Sequence, residues 1–384
     1  MKKLFLYLPM ILSLGSCIQS EPLNAEADIE KCEILNEKGV KDPNIIGNVV
    51  KTNNRIMAQA SPKIDLSELA LKVVLTDGAS ITPDPSTLRD YSTPKEFVVT
   101  SQDGDWKKTY TVSIDTFDMP TIYHFENYEL NEKKKYQVFF DLVLSQGDFF
   151  KQYIWASGNA GYSLTGVGKT PEDYPTVSIP QGEVGKGVKL ETKSTGDFGA
   201  MAKMPIAAGN LFIGSFDVSN AMKDALRATL FGLPFTKKPV SFTGYYKYKK
   251  GPQFTTVGSD GKPVPVSGEA CCDVYAVLYE SAGLEKNSLN GGNVLSSDHI
   301  VAMARMKNPT VHDYTTDLTK VDYEKFEVQF DYNSYQAIRP FDSNKAKNYE
   351  YNLAVVFTSS IDGAYFKGAV GSTLFVDEVK VICE

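Results

Sequence analysis

The sequence predicts an all-β protein with an N-terminal β-sandwich followed by a larger β-sandwich. Short extended segments recur along the chain and are separated by Pro, Gly and Asp. In several of them apolar and polar residues alternate, as in KFEVQFDY at 325–332. A single helix is indicated, in AMKDALRATLFG after Asn220. Many strands with almost no helix favour packed β-sheets.

The first region, residues 28–119, is predicted to be a small immunoglobulin-like sandwich. Its clearest signal is the segment PKEFVVTSQDGDWKKTYTVSID at 94–115. Alternation continues on both sides of Asp103-Gly104, and this dipeptide tolerates the positive φ of a tight hairpin turn. A region of about ninety residues with this pattern suits a sandwich of the immunoglobulin type.

The second region, residues 120–384, follows a junction at Met119-Pro120 and is predicted to be a jelly roll. It contains nine further strand-like segments. They are YQVFFDLV (136–143), GVKLE (187–191), LFIGSFDV (211–218), VSFTGYYKYKKG (240–251), DVYAVLYE (273–280), HIVAMARM (299–306), KFEVQFDY (325–332), EYNLAVVFTSS (350–360) and LFVDEVKVI (374–382). Long loops between many strands are typical of jelly rolls.

The N-terminus indicates export. Two lysines precede the apolar run from Leu4 to Leu14, and Leu14-Gly15-Ser16-Cys17 resembles a bacterial lipobox. We therefore expect residues 1–16 to be a signal peptide, Cys17 to be lipidated, and residues 17–27 to form a tether. The protein would then be an outer membrane lipoprotein, on the cell surface or the periplasmic face. The alternative is a plain secretory signal.

Charge and cysteine content narrow the function classes. The 384 residues carry a formal charge of −7. Loss of Lys2 and Lys3 with the signal peptide would make it −9, which argues against a nucleic-acid partner. The chain has three histidines and no C-x-x-C, so a zinc site is not expected. Four cysteines follow Cys17, namely Cys32, Cys271, Cys272 and Cys383, and three disulfide pairings are open.

Aromatic residues are the best candidates for a binding site. A sugar has polar edges and apolar C–H faces, so flat rings beside amides suit it. In YIWASGNAGY, Trp155 is followed by Asn159 and Tyr162 in a loop where the indole could stay partly exposed. Tyr246 and Tyr248 share one face of a predicted strand. The alternative for all of these rings is core packing.

Catalytic signatures are weaker. Glycoside hydrolysis needs two carboxylates at a defined separation. Asp273 and Glu280 lie seven residues apart on one predicted strand and therefore face opposite sides. A catalytic pair would have to come from different strands.

Three stretches carry a family resemblance. The segments 231–251, 272–280 and 359–381 resemble the putative carbohydrate metabolism domain family, which occurs in lipoproteins of Bacteroidetes. The resemblance covers roughly 120–384. It implies a jelly roll like those of carbohydrate-binding modules, often preceded by an Ig-like domain, and a role in glycan capture or processing. Members have also been described as glycoside hydrolases.

The closing strand raises the question of a metal. Alternation from Leu374 places Phe375, Asp377, Val379 and Val381 on one face and Leu374, Val376, Glu378 and Lys380 on the other. An acid among core residues needs a partner.

A second similarity supplies a candidate for that partner. Many carbohydrate-binding jelly rolls open with a Phe-Glu strand and close with an Asp-bearing strand, and the two acids help to hold a structural calcium. Phe125-Glu126 and Asp377 are similar to this arrangement. Glu126 faces inward if Ile122 does, and faces water if Tyr123 and Phe125 do. The alternative is a hydrogen-bonded Asp377 without metal.

The leading hypothesis is thus a lipid-anchored, non-catalytic protein that binds a polysaccharide or oligosaccharide at Trp155. The runner-up is a glycoside hydrolase with a carboxylate pair from different strands. A third possibility is an adhesin that binds protein.

Overall fold

The computed structural model describes residues 23–51, 54–116, 119–145 and 148–384. The predicted signal peptide, residues 1–16, and the lipidation site Cys17 lie outside the described residues, as does most of the predicted tether. Within the described ranges, no helix combines the length and the apolar character that crossing a bilayer requires.

The predicted all-β fold class is confirmed, with an N-terminal sandwich region followed by a larger sandwich. The N-terminal strands are β1 (Ile29–Leu35), β2 (Ile45–Lys51), β3 (Arg55–Ala60), β4 (Ala70–Leu75), β5 (Ser80–Thr82), β6 (Lys95–Thr100) and β7 (Lys107–Thr116). Here β1 pairs with β4, and β6 lies between β5 and β7. The predicted hairpin is β6–β7, and Gly104 in its turn has a positive φ of 81°.

Among the described residues, the larger part of the chain adds twenty-one strands. They are β8 (Ile122–Tyr123), β9 (Tyr128–Leu130), β10 (Gln137–Phe139), β11 (Asp141–Ser145), β12 (Asp148–Gln152), β13 (Trp155–Ala156), β14 (Thr176–Ile179), β15 (Gly187–Glu191), β16 (Lys193–Ser194), β17 (Ile206–Ala207), β18 (Asn210–Phe216), β19 (Thr229–Phe231), β20 (Leu233–Pro234), β21 (Pro239–Lys249), β22 (Thr255–Val257), β23 (Pro263–Pro265), β24 (Asp273–Glu280), β25 (Ile300–Arg305), β26 (Glu324–Gln329), β27 (Tyr351–Thr358) and β28 (Thr373–Cys383).

Helical segments are short. The α-helices are α1 (Asn159–Tyr162), α2 (Gly196–Met201) and α3 (Ser343–Lys347). Single 3₁₀ turns occur at Ser163–Thr165, Pro171–Asp173, Ala225–Arg227, Glu285–Asn287, Leu318–Lys320 and Gly363–Tyr365. The prediction of a helix after Asn220 is therefore wrong. The segment forms the 3₁₀ turn Ala225–Arg227 and then enters β19.

Two compact units make up the chain. The described residues of the first lie within 23–41, 51–56 and 67–113, and those of the second lie within 42–50, 57–66 and 114–384. The boundaries predicted from the sequence, 28–119 and 120–384, remain predictions. The four cysteines Cys32, Cys271, Cys272 and Cys383 are all free thiols.

Two antiparallel sheets pack face to face in the second unit. One has the order β13-β18-β27-β24-β25, with β19 and β20 joined to it, and the other has the order β14-β15-β28-β21-β26, with β8 beside β28. Their inward side chains form one core that includes Ile213, Leu278 and Phe357 from the first sheet and Leu190, Phe242 and Val379 from the second. Burial of such apolar side chains is the main stabilising term.

The first of these sheets is apolar on its outer face as well. Phe212, Tyr275, Val277 and Val356 form a second buried cluster there. All eight residues of β24 are buried for this reason, since both faces of the strand are covered. The outer cover consists of loops and short helical segments, and these leave a cleft.

The face assignment predicted for the closing strand β28 is wrong in its first half. Leu374 and Val376 point into the sandwich core together with Val379 and Val381. A β-bulge explains the change of phase: Tyr245 pairs with Asp377 and Thr243 with Lys380, so β28 has one residue more than β21. Glu378, with φ of 49°, is the extra residue. Asp377 is buried, but on the face opposite the core.

Candidate functional site

The candidate site is a cleft of about 440 Å³ over the outer face of the seven-stranded sheet. Its floor is formed by Phe212, Tyr275, Val356 and Thr358. The walls are α1, α2 and the 3₁₀ turns Ala225–Arg227 and Gly363–Tyr365. The volume falls in the usual range of ligand pockets, roughly 300–1,000 Å³.

Exposed rings stand at the rim of the cleft. Phe198 projects from α2, and Tyr365, with 61% of its surface exposed, ends the turn opposite. Met222 and Leu295 add further exposed apolar surface. Exposed apolar residues that cluster around a concavity mark a binding surface more often than scattered ones do.

The floor carries one ion pair. Asp273 starts β24 and receives two hydrogen bonds from Arg305, Nε to Oδ1 at 3.0 Å and Nη2 to Oδ2 at 2.8 Å. Burial raises the pKa of Asp273, and the Arg305 guanidinium opposes that rise. Tyr275 follows two residues later on the same face, so its ring lies beside the ion pair.

Trp155 does not have the exposure expected for a sugar-stacking residue. It is 4% exposed and belongs to the sandwich core, where its ring meets Tyr123 and Phe125 with centroids 5.1 Å away. The reason is its position in β13, where it pairs with the core residue Ile213 and so points inward.

The polar end of Trp155 is also enclosed. Its Nε1 and the Oδ2 of Asp141 are buried without a hydrogen bond of normal geometry to the described residues. Burial raises the pKa of Asp141 to about 6, and the neighbouring indole N–H partly offsets this rise.

Of the other predicted ring and amide residues, Tyr162 alone lines the cleft. Asn159 is fully buried, because its amide donates to the Thr176 carbonyl at 2.7 Å and accepts from the Thr176 N–H at 3.1 Å. Tyr246 and Tyr248 do share a face of β21, but that face is the sandwich core. Their assignment to carbohydrate binding remains a prediction that their burial does not favour.

Asp377 and Glu126 are held by the same turn, which connects β14 to β15. The Val184 N–H donates to Asp377 Oδ2 at 3.0 Å, and the Lys186 N–H donates to Glu126 Oε1 at 3.0 Å. A Cβ at Gly182 would overlap Asp377 Oδ2. Tyr123 of β8 and Phe125, two residues further on, both point into the core, whereas Glu126 lies outside it and is half-buried.

The sequence predicts calcium at these two acids, and carboxylate oxygens are the type of ligand that calcium takes. Asp377 Oδ1 is buried and has no hydrogen-bond partner among the described residues. Burial raises the pKa of Asp377 to about 6, while the Val184 N–H lowers it and Glu378 raises it further. No cluster of three or more His, Cys, Asp or Glu suited to a metal occurs in the described ranges. Backbone carbonyls and water would complete an oxygen shell, as calcium permits.

The rim and floor residues were not predicted from the sequence. Tyr275 and Tyr365 both lie in stretches that carry the family resemblance, 272–280 and 359–381. The signal that was available is the continuous apolar run after Asp273, since a strand without alternation is covered on both faces. No local pattern marks Phe198, whose place depends on how α2 packs over the sheet.

Comparisons with protein families agree with this architecture. Residues 124–382 match the family described as "Putative carbohydrate metabolism domain". Residues 38–114 match the model described as "SGBP, N-terminal". The first match covers the whole cleft, and no curated protein matches the chain.

Two crystal structures are similar over most of the chain. A putative glycoside hydrolase from Bacteroides thetaiotaomicron VPI-5482 is 42% identical, with a TM-score of 0.67, and the match covers 95% of this chain and 99% of that one. A putative glycoside hydrolase from Bacteroides vulgatus ATCC 8482 is 36% identical, with a TM-score of 0.59, and the match covers 70% and 99% of the two chains.

Proposed function

The chain belongs to the putative carbohydrate metabolism domain family, and from this membership we propose that it binds a glycan in the cleft above the seven-stranded sheet. The observation that carries the proposal is the pair of exposed rings, Phe198 and Tyr365, at the rim of an apolar concavity. The apolar C–H face of a sugar ring can stack on such rings. The match of residues 38–114 to an SGBP N-terminal model supports the same function.

Loss of the rim rings tests this proposal. The double substitution Phe198→Ala with Tyr365→Ala is expected to weaken glycan binding by about tenfold, since each stacked ring contributes about 0.5–1.5 kcal/mol. Binding would be measured by calorimetry against the glycans that the wild type retains on an array. Tyr314→Ala is the matched control, because Tyr314 is 50% exposed and does not line the cleft. Equal glycan affinity of the double variant and the control would show that the glycan binds outside this cleft.

Hydrolysis is the second candidate, because the two similar crystal structures are described as glycoside hydrolases. The cleft gives it limited support. Among the described lining residues Asp273 is the one carboxylate, and Arg305 holds both of its oxygens. A hydrolase needs two carboxyl groups. Release of reducing sugar from the bound glycan, and its loss in Asp273→Asn, would favour the enzyme over a binding protein.

The location that we propose is the outer membrane, through lipidation of Cys17 after removal of residues 1–16. The lipobox-like Leu14 to Cys17 and the SGBP N-terminal match support it. Cells fed a radioactive fatty acid are expected to label the wild-type protein and not the Cys17→Ala variant. Equal labelling of the two would contradict lipidation at this residue. Protease treatment of intact cells distinguishes the two locations, because only protein on the cell surface would be digested.

The structural metal that we propose is calcium, held by Glu126 and Asp377 at the β14–β15 turn. The unpartnered oxygen of Asp377 supports it. Bound there, the ion would join the opening segment, the turn and the closing strand. Its role is structural, because neither acid lines the cleft.

A further inference from the structure

Most of the side-chain hydrogen-bond donors that line the cleft already donate to other groups of the protein. Thr165 Oγ1 donates to the Tyr162 carbonyl at 2.7 Å, and Thr358 Oγ1 donates to the Ser360 carbonyl at 3.2 Å. The Tyr162 hydroxyl donates to the Ser194 carbonyl at 3.1 Å. Few groups in the cleft are therefore left to donate to a ligand.

Charged groups are equally scarce. No Lys, Arg or His is found among the described residues that line the cleft, and its one acid, Asp273, is neutralised by Arg305. An anionic sugar would find no counter-ion there. The lining of this cleft therefore favours a neutral ligand over a charged one.

Small side chains enlarge the cleft between the larger rings. Six alanines line it, namely Ala207, Ala208, Ala221, Ala225, Ala228 and Ala364. Their methyl groups offer contact surface and no hydrogen bond. A hydroxyl group placed against them would lose its water without gaining a partner, whereas a methyl group would gain by burial.

From these observations we infer that the cleft selects a neutral sugar in which a methyl-bearing group replaces a hydroxyl, as in 6-deoxy sugars and O-acetylated sugars. The inference rests on the proposed function, because it specifies the glycan bound at the same site. A fully hydroxylated hexose would bury hydroxyls that the cleft does not satisfy, and an uncompensated buried polar group is costly.

Tyr275 supplies the specific polar contact. It is 5% exposed and lines the floor, and none of the described residues forms a hydrogen bond with its hydroxyl. The hydroxyl oxygen itself keeps some exposure, so it can donate its proton to a ligand in the open cleft. An acetyl carbonyl or a sugar ring oxygen can accept its proton.

Matched pairs of sugars test the selectivity. Methyl α-L-fucoside and methyl α-L-galactoside differ by CH₃ in place of CH₂OH, and O-acetylated xylan can be compared with the same material after alkaline de-acetylation. We expect the methyl-bearing member of at least one pair to bind wild-type protein about tenfold more tightly or better. The pair that shows the preference tells whether the methyl group recognised by the cleft belongs to a 6-deoxy sugar or to an acetyl group.

The remaining outcomes separate this inference from the proposed function. Binding of both members with equal affinity in each pair would overturn the selectivity and leave glycan binding in place. Absence of binding to these sugars and to every glycan of a broad array would overturn both.

A conservative variant then tests Tyr275. Tyr275→Phe removes a hydroxyl that has no partner in the described protein, so folding should be preserved. Its affinity for the preferred sugar should fall about three- to tenfold, as expected for one hydrogen bond. Tyr314→Phe is the control at an exposed tyrosine outside the cleft. If Tyr275→Phe binds the preferred sugar with unchanged affinity, the proposed hydrogen bond between the Tyr275 hydroxyl and the sugar is wrong.

Discussion

Replacing Trp155 by Ala is expected to lower the free energy of unfolding by about 3–5 kcal/mol, as large-to-small aromatic substitutions in cores do. The indole fills the space between Tyr123, Phe125 and Phe357 in the sandwich core. Its removal loses these contacts and leaves a cavity that the two hydrogen-bonded sheets cannot easily close.

Urea unfolding followed by circular dichroism measures this change. The chain offers a matched control, because its other tryptophan, Trp106, is 63% exposed. Trp106→Ala should stay within about 0.5 kcal/mol of the wild type. A Trp155→Ala variant of unchanged stability that no longer bound glycan would contradict the burial and restore the predicted stacking role.

The same burial changes how binding data for Trp155→Ala should be interpreted. A destabilised protein binds less ligand at any temperature where part of it is unfolded. Affinity must therefore be measured below the unfolding transition of both proteins. Under that condition Trp155→Ala is expected to bind almost as well as the wild type, in contrast to the variant that lacks Phe198 and Tyr365.

Local patterns in the sequence were sufficient to predict the all-β fold class. The β6–β7 hairpin was predicted because alternation and the Asp103-Gly104 turn are properties of adjacent residues. The closing strand β28 was also predicted as a strand. Its face assignment failed because the bulge at Glu378 shifts the alternation by one residue. Such a bulge depends on the pairing with β21, and it cannot be predicted from the residues of β28 alone.

The cleft could not be predicted from local sequence patterns, for a related reason. Phe198, Tyr275 and Tyr365 come from segments far apart in the chain and line one cleft only when loops fold over the outer face of the sheet. The aromatic loop around Trp155 was the more conspicuous candidate in the sequence. Aromatic content predicts that rings will pack, and the strand register decides whether they pack inward or outward.

Chelation of calcium is expected to lower the melting temperature of the wild-type protein by about 5–10 °C. A ligand present at a hundred times its dissociation constant stabilises the folded state by about 2.7 kcal/mol. For a unit of this size, each kcal/mol corresponds to about 2–4 °C. The physical reason is the buried Asp377 Oδ1, which has no hydrogen-bond partner among the described residues. A bound cation would compensate its negative charge.

The test compares wild type and Asp377→Asn, each melted with added calcium and with a chelator. The wild type should show the shift, and the variant should melt at one temperature in both conditions because a ligand carboxylate is gone. Asp298→Asn, at an exposed acid, should keep the wild-type shift. If chelation leaves the wild type unchanged, Asp377 is held by backbone N–H groups, Val184 N–H among them, without a metal. Asp377 would then be a hydrogen-bonded acid under the β14–β15 turn, and the closing strand would need no metal.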